Sequence, residues 1–135
     1  MGSIYQSMLD FLKKSGIQAN EVGNGRLFFS VNKLNFIFEA NDNDPHFLRL
    51  ALPQINRQDV QVKTLEQQIF QLNRNYKVSK IVRDTDNSLF ILADAFIYSI
   101  DNIEPLFVRL IQASTDMIND YRKIENNGNG TNQAK

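Results

Sequence analysis

Residues 26–40 read Arg26-Leu27-Phe28-Phe29-Ser30-Val31-Asn32-Lys33-Leu34-Asn35-Phe36-Ile37-Phe38-Glu39-Ala40. Leu27, Phe29 and Val31 alternate along the chain. After Asn32-Lys33 so do Leu34, Phe36 and Phe38, with Asn35 and Glu39 opposite them. A side-chain period of two over such short runs belongs to strands, and Asn32-Lys33 suits the turn between them. The stretch predicts an antiparallel hairpin, Arg26–Asn32 followed by Leu34–Ala40.

Downstream, Asn41-Asp42-Asn43-Asp44-Pro45 is turn chemistry throughout. A third strand is expected over His46–Leu52, with Leu48, Leu50 and Leu52 on one side and Pro53 stopping it. Val62, Leu65, Ile69, Leu72 and Tyr76 then step by three and four, predicting a helix over 60–76. Val78–Thr85 reads as a fourth strand, Asp84–Asn87 as a turn and Ser88–Tyr98 as a fifth strand. The fifth strand sets Phe90, Leu92, Phe96 and Tyr98 on one face and Leu89, Ile91, Ala93 and Ile97 on the other. Asp101 with Glu104 has capping-box spacing and opens a last helix that ends near Ile124. Upstream, Ile4, Met8, Phe11 and Leu12 share one face of a helix over 3–15, capped by Ser3 and ended by Gly16.

The order is thus α-βββ-α-ββ-α, an α+β domain with an antiparallel sheet flanked by helices. A single domain is expected over residues 1–124. Residues 125–135, rich in Asn and Gly with no large apolar side chain, are expected to form a disordered tail.

Composition excludes several kinds of chemistry. The absence of cysteine in 135 residues removes disulfides, thiol catalysis and thiolate metal sites. Together with an N-terminal helix broken by Gln6, Asp10, Lys13 and Lys14, it sets the expectation of a cytoplasmic protein without a signal peptide. Lys+Arg and Asp+Glu balance at 15 each, so nothing draws the chain to nucleic acid. No apolar run approaches the roughly 18–20 residues of a membrane span, and no membrane partner is expected. His46 is the only histidine, and no Gly-x-Ser-x-Gly elbow accompanies it. Asp42, Asp44 and His46 alternate as metal ligands could, but Pro45 sits among them, and a solvated turn is the favoured reading. Gly23-Asn24-Gly25 follows no hydrophobic strand and opens no helix, so it reads as a flexible turn rather than a nucleotide site. Arg74, Lys77, Lys80 and Arg83 read as a solvated basic face. Asp94 puts a carboxylate among Leu92, Ala93, Ala95 and Phe96, and is read as reaching water at a strand end or bulge. No catalytic residue, cofactor or metal is expected, and the chain is expected not to be an enzyme.

The fifth strand is apolar on both faces and needs cover on both. The expected helices are too few to cover every strand twice. The uncovered surface suits a second subunit or a bound partner. The candidate surface combines the second helix with the outer face of the last two strands: Leu65, Ile69, Leu72, Phe90, Leu92, Asp94 and Phe96. For Leu65, Ile69 and Leu72, plain core is the competing role.

Four segments carry a family resemblance: SIYQSMLDFLKKSG over Ser3–Gly16, LNFIFEAN over Leu34–Asn41, SLFILADAFI over Ser88–Ile97 and IEPLFVRLIQASTDMINDY over Ile103–Tyr121. With the element order and the long final helix, they resemble the YbjN family, similar in fold to the class I type III secretion chaperones. The resemblance implies a small bacterial protein, commonly dimeric and without enzymatic activity. It also implies binding of an unfolded protein segment along apolar grooves of the dimer. Those chaperones are usually acidic, and this neutral chain departs from them there. Two readings stay open: a homodimeric interaction module that binds a protein or peptide, and a small-molecule-binding or sensory domain with a pocket between the Phe-rich sheet and the helices.

Overall fold

The computed structural model describes residues 3–84 and 87–134. Thr85 and Asp86, central to the turn expected over Asp84–Asn87, lie outside the described residues, as do Met1, Gly2 and Lys135. The chain runs α1 (Ile4–Lys14), β1 (Ala19–Gly23), β2 (Arg26–Val31), β3 (Leu34–Glu39) and β4 (Phe47–Leu52). A 3-10 turn (Val62–Leu65) leads into α2 (Glu66–Asn75), followed by β5 (Ser79–Arg83), β6 (Leu89–Phe96) and α3 (Glu104–Ala134). The six strands form one sheet in the order β1-β2-β3-β4-β6-β5, antiparallel throughout. The α+β class and the flanked antiparallel sheet agree with expectation.

The element order differs in one place: β1 is an additional strand. Gly23-Asn24-Gly25 is the turn that joins it to β2, with Gly23 opposite Arg26. Asn24 and Gly25 both have positive φ, at 56° and 72°, as a two-residue type I′ hairpin demands. A Cβ on Gly25 would lie 2.3 Å from the Ala40 carbonyl oxygen, and the Gly25 carbonyl accepts the Ala40 N–H at 2.9 Å. Glycine is therefore required there by close backbone approach as well as by conformation. Asn32 and Lys33, at φ 51° and 67°, make the corresponding turn between β2 and β3.

The inner face of the sheet is the alternating apolar set. Leu27, Phe29, Leu34, Phe36, Phe38, Leu48, Leu50, Leu52, Ile81, Leu89, Ile91 and Ala93 are all buried. Helices cover this face. Ser3 Oγ accepts the Gln6 N–H at 3.0 Å to cap α1, which buries Ile4, Met8 and Leu12. The Phe107 ring of α3 meets Phe38 edge-on at 5.8 Å and Phe11 of α1 at 5.7 Å, so three elements share one aromatic contact. Lys14 Nζ donates to both Glu104 carboxylate oxygens, at 2.7 and 2.9 Å, and ties α1 to the start of α3. Glu104 opens α3, and Asp101, lying in the preceding turn, does not form the expected capping box.

The last helix continues to Ala134, past the end expected near Ile124. Glu125, the first residue past that expected end, is buried despite its charge. Its Oε2 accepts the Tyr121 hydroxyl at 2.8 Å and the Arg57 N–H at 3.1 Å. The helix thus carries its carboxylate acceptor into the domain within the segment expected to be a tail.

Candidate functional site

No helix among the described residues covers the other sheet face. Strand alternation places Phe28, Ile37, Phe47, Ala51, Val82, Phe90, Leu92 and Phe96 there, all half-buried or exposed. Phe96 is the most open of them, with a relative exposure of 66%. Across the middle runs a ladder of alternating charge on directly opposed residues: Arg26, Glu39, Arg49 and Asp94. Its best-formed rung is bidentate. Arg49 Nε donates to Asp94 Oδ1 at 2.7 Å and Nη2 to Oδ2 at 3.0 Å. The hydrogen bond to Asp94 raises the Arg49 pKa above its ordinary value, burial opposes this, and the charges of Asp94 and Glu39 add to the rise. Asp94 thus reaches solvent and a partner, but not through the strand end or bulge expected for it: it sits in regular register opposite Arg49, and its exposure comes from the side of the sheet it occupies.

The structure separates the expected surface residues into two groups. Phe90, Leu92, Asp94 and Phe96 lie on the helix-free face. Leu65 and Leu72 are buried in the core, and Ile69 packs against that core partly buried. They cannot join the face, because α2 packs beside α3 and against the outer edge of β5 on the covered side. Sequence reading missed Phe28, Ile37, Phe47, Arg49, Ala51 and Val82. Their signal was the opposite phase of the same alternation: Phe28 between Leu27 and Phe29, Ile37 between Phe36 and Phe38.

At one end of this face is a cavity of about 270 Å³, walled by Ile4, Tyr5, Phe47, Ile97, Tyr98 and Ile100 among others. His46 lines it too. Its Nδ1 lies 3.0 Å from the Ile97 carbonyl oxygen, which requires the proton on Nδ1, and its ring packs 4.7 Å from Tyr98. Phe47 connects cavity to face, its ring 5.3 Å from Phe96. Tyr98 is 81% exposed at the rim.

Three tyrosines have raised pKa values. Burial first, then a hydrogen bond to Glu21 at 2.6 Å, pushes Tyr5 up to about 12. Tyr76 and Tyr121 are pushed higher still by burial and by their bonds to Asp120 and Glu125. All three are held protonated at neutral pH; the Tyr5 bond ties α1 to β1 and the Tyr76 bond ties the end of α2 to α3, while the Tyr121 bond lies within α3. Two members of the basic run are also engaged within the chain. Lys80 Nζ bonds the Asn73 carbonyl at 2.6 Å and the Tyr76 carbonyl, and Arg83 lies 3.6 Å from Glu66. Among the described residues no cluster of His, Cys, Asp or Glu could hold a metal, and no helix is long and apolar enough to cross a membrane.

A six-stranded antiparallel sheet with helices on one face and mixed apolar and charged surface on the other defines a two-layer α+β fold. The solved structures with this architecture make the class specific. YbjN, a candidate transcription regulator from E. coli, superposes with a TM-score of 0.65 at 12% identity, over 87% of this chain and 92% of its own. A chain of the HopA1–SchA chaperone–effector complex gives 0.64 at 12% identity, over 89% and 94%. A chain of the heterodimeric ExoU–SpcU complex, from the type III secretion system of Pseudomonas aeruginosa, gives 0.52 at 14% identity, over 82% and 94%. The fold is YbjN-like and type III secretion chaperone-like. No protein-family model and no curated protein sequence matches the chain.

Proposed function

We propose that the chain is a non-enzymatic, chaperone-like interaction module of the cytoplasm that works as a homodimer and holds an extended protein segment through apolar surface. The observation that carries this reading is the pair of exposed aromatics, Phe96 and Tyr98, beside the apolar cavity at the end of the helix-free face. Aromatic groups left in water next to a pocket suit an anchor for a partner's side chain. Support comes also from the fold: one of the solved structures that shares it is a chaperone–effector complex.

The test uses an unfolded reporter, reduced and carboxymethylated α-lactalbumin carrying a fluorophore, titrated with the protein and read by anisotropy. Saturable binding is expected, weakened by about tenfold or more in Phe96→Asp, the scale of losing one aromatic anchor. Circular dichroism confirms that the variant keeps its fold. Absence of binding by the wild-type chain counts against segment binding.

A second reading rests on the cavity alone. At about 270 Å³ it lies just below the usual range for small-molecule sites, so it suits a ligand of few heavy atoms. A rise in melting temperature with a small apolar compound, abolished by filling the cavity through Ala40→Phe, would favour a sensory domain.

A further inference from the structure

The geometry points to a second copy of this chain as the occupant of the helix-free sheet face, stacked sheet on sheet about a two-fold axis that runs along the strands between β3 and β4. This rests on the homodimer reading above and gives that dimer its interface. The charge ladder is what selects the arrangement. Its four rungs, Arg26, Glu39, Arg49 and Asp94, lie on β2, β3, β4 and β6, neighbours in the sheet. A two-fold axis between β3 and β4 sets Glu39 against Arg49 of the second copy and Arg26 against its Asp94. Every charge then meets its opposite. Moving the axis onto β3 or β4 sets like charges together, Glu39 on Glu39 or Arg49 on Arg49. An axis across the strands does the same at every rung. The alternation therefore admits the centred register and penalises the nearest alternatives, as charge patterns at interfaces do.

The apolar row beside the ladder fits the same operation. Phe28, Ile37, Ala51 and Leu92 are aligned across β2, β3, β4 and β6. The axis sets the larger Ile37 over the small Ala51 of the second copy and Phe28 over its Leu92. Bulk meets hollow at the centre, and apolar meets apolar outside it. Strands of the two sheets run nearly along one another, the aligned mode of sheet packing. Because the axis follows the strands, both cavities come to the same end of the dimer, with Phe96 and Tyr98 of each copy around them.

The absence of cysteine allows a direct test. Phe28→Cys and Leu92→Cys are made separately, then mixed and treated with a bis-maleimide that spans about 10 Å, the spacing of stacked sheets. The expected product is a cross-linked species at twice the 15.6 kDa chain mass in the mixture and little in either variant alone. Within one copy the two positions are three strands apart, about 14 Å, and self-pairs across the axis are farther still. Sedimentation velocity runs alongside, on wild type and on Glu39→Arg, which is expected to dissociate more readily by about tenfold or more while keeping its circular dichroism spectrum. A wild-type dimer without the mixed cross-link, or one in which Phe28→Cys links to itself, overturns this interface and leaves the homodimer reading standing. A wild-type chain that stays monomeric overturns both, and the anisotropy titration still decides segment binding separately.

Discussion

Asn73 of α2 and Ile81 of β5 pair side chain to backbone in the way two strands pair: Ile81 N donates to Asn73 Oδ1 at 2.6 Å, and Asn73 Nδ2 donates to the Ile81 carbonyl at 2.9 Å. The strand β5 is an edge of the sheet, and these bonds occupy the outward-facing donor and acceptor at its centre. Edge strands that are left open recruit other chains, so one amide side chain here closes the edge that a helix alone would only shield.

Replacing Asn73 by Leu is expected to destabilise the fold by about 1–3 kcal/mol, the cost of leaving partly buried backbone groups without partners. Urea unfolding measures the loss, and light scattering is expected to show faster aggregation on warming. An unchanged midpoint would mean that water satisfies this edge as well as Asn73 does.

Gly25→Ala is expected to cost about 1–3 kcal/mol, since it combines a strained left-handed backbone with a 2.3 Å approach to the Ala40 carbonyl. Gly16→Ala offers the control: its φ is also positive, at 75°, but nothing lies within 4 Å of the added carbon. The difference between the two denaturation midpoints isolates the steric part.

Phe107→Ala removes a fully buried ring that touches Phe38 and Phe11, and is expected to cost about 3–5 kcal/mol. Much of the stability of a domain this size is of that order, so the variant should be partly unfolded near 37 °C by circular dichroism. Phe96→Ala, at a site 66% exposed, should stay within about 0.5 kcal/mol of wild type. Equal losses at the two sites would contradict the assignment of inner and outer sheet faces.

Alkaline pH should destabilise the domain. Tyr5 is raised from 10.0 to about 12 on folding, and Tyr76 and Tyr121 are raised too. A group raised in the folded state contributes its full stability below its unfolded pKa and loses it as pH climbs towards the folded one. For Tyr5 the loss falls between pH 10 and about 12. Urea midpoints measured from pH 8 to 11.5 should therefore fall above pH 10, and less steeply in Tyr121→Phe, which lacks one of the three phenols. A flat profile would show that these hydroxyls ionise as readily folded as unfolded.

Much of the fold is legible along the chain because its signals are local. The period of two in Leu34-Asn35-Phe36-Ile37-Phe38 needs only the pleat of a strand, and the Ser3 cap and Gly16 stop need only the ends of a helix. The edge strand β1 escaped notice because Ala19-Asn20-Glu21-Val22-Gly23 is polar and mostly exposed, which is what an edge tolerates. Its Asn24-Gly25 turn was the signal that could have revealed it.

The candidate surface was half legible for a different reason. An apolar stripe such as Leu65, Ile69 and Leu72 looks the same whether it meets the core or a partner, and only the packing of α2 beside α3 turned it inward. Both sides of β6 are apolar, so its outer side was identified only by where α1 and α3 lie. Arg49 meets Asp94 because β4 and β6 are neighbours, residues 45 positions apart in the chain. Residue type and spacing specify what each segment can be, since those preferences act over a few residues. Strand order, the choice of exposed face and the charge ladder across it arise from long-range pairing, where the burial of one apolar face must be satisfied by all the elements at once.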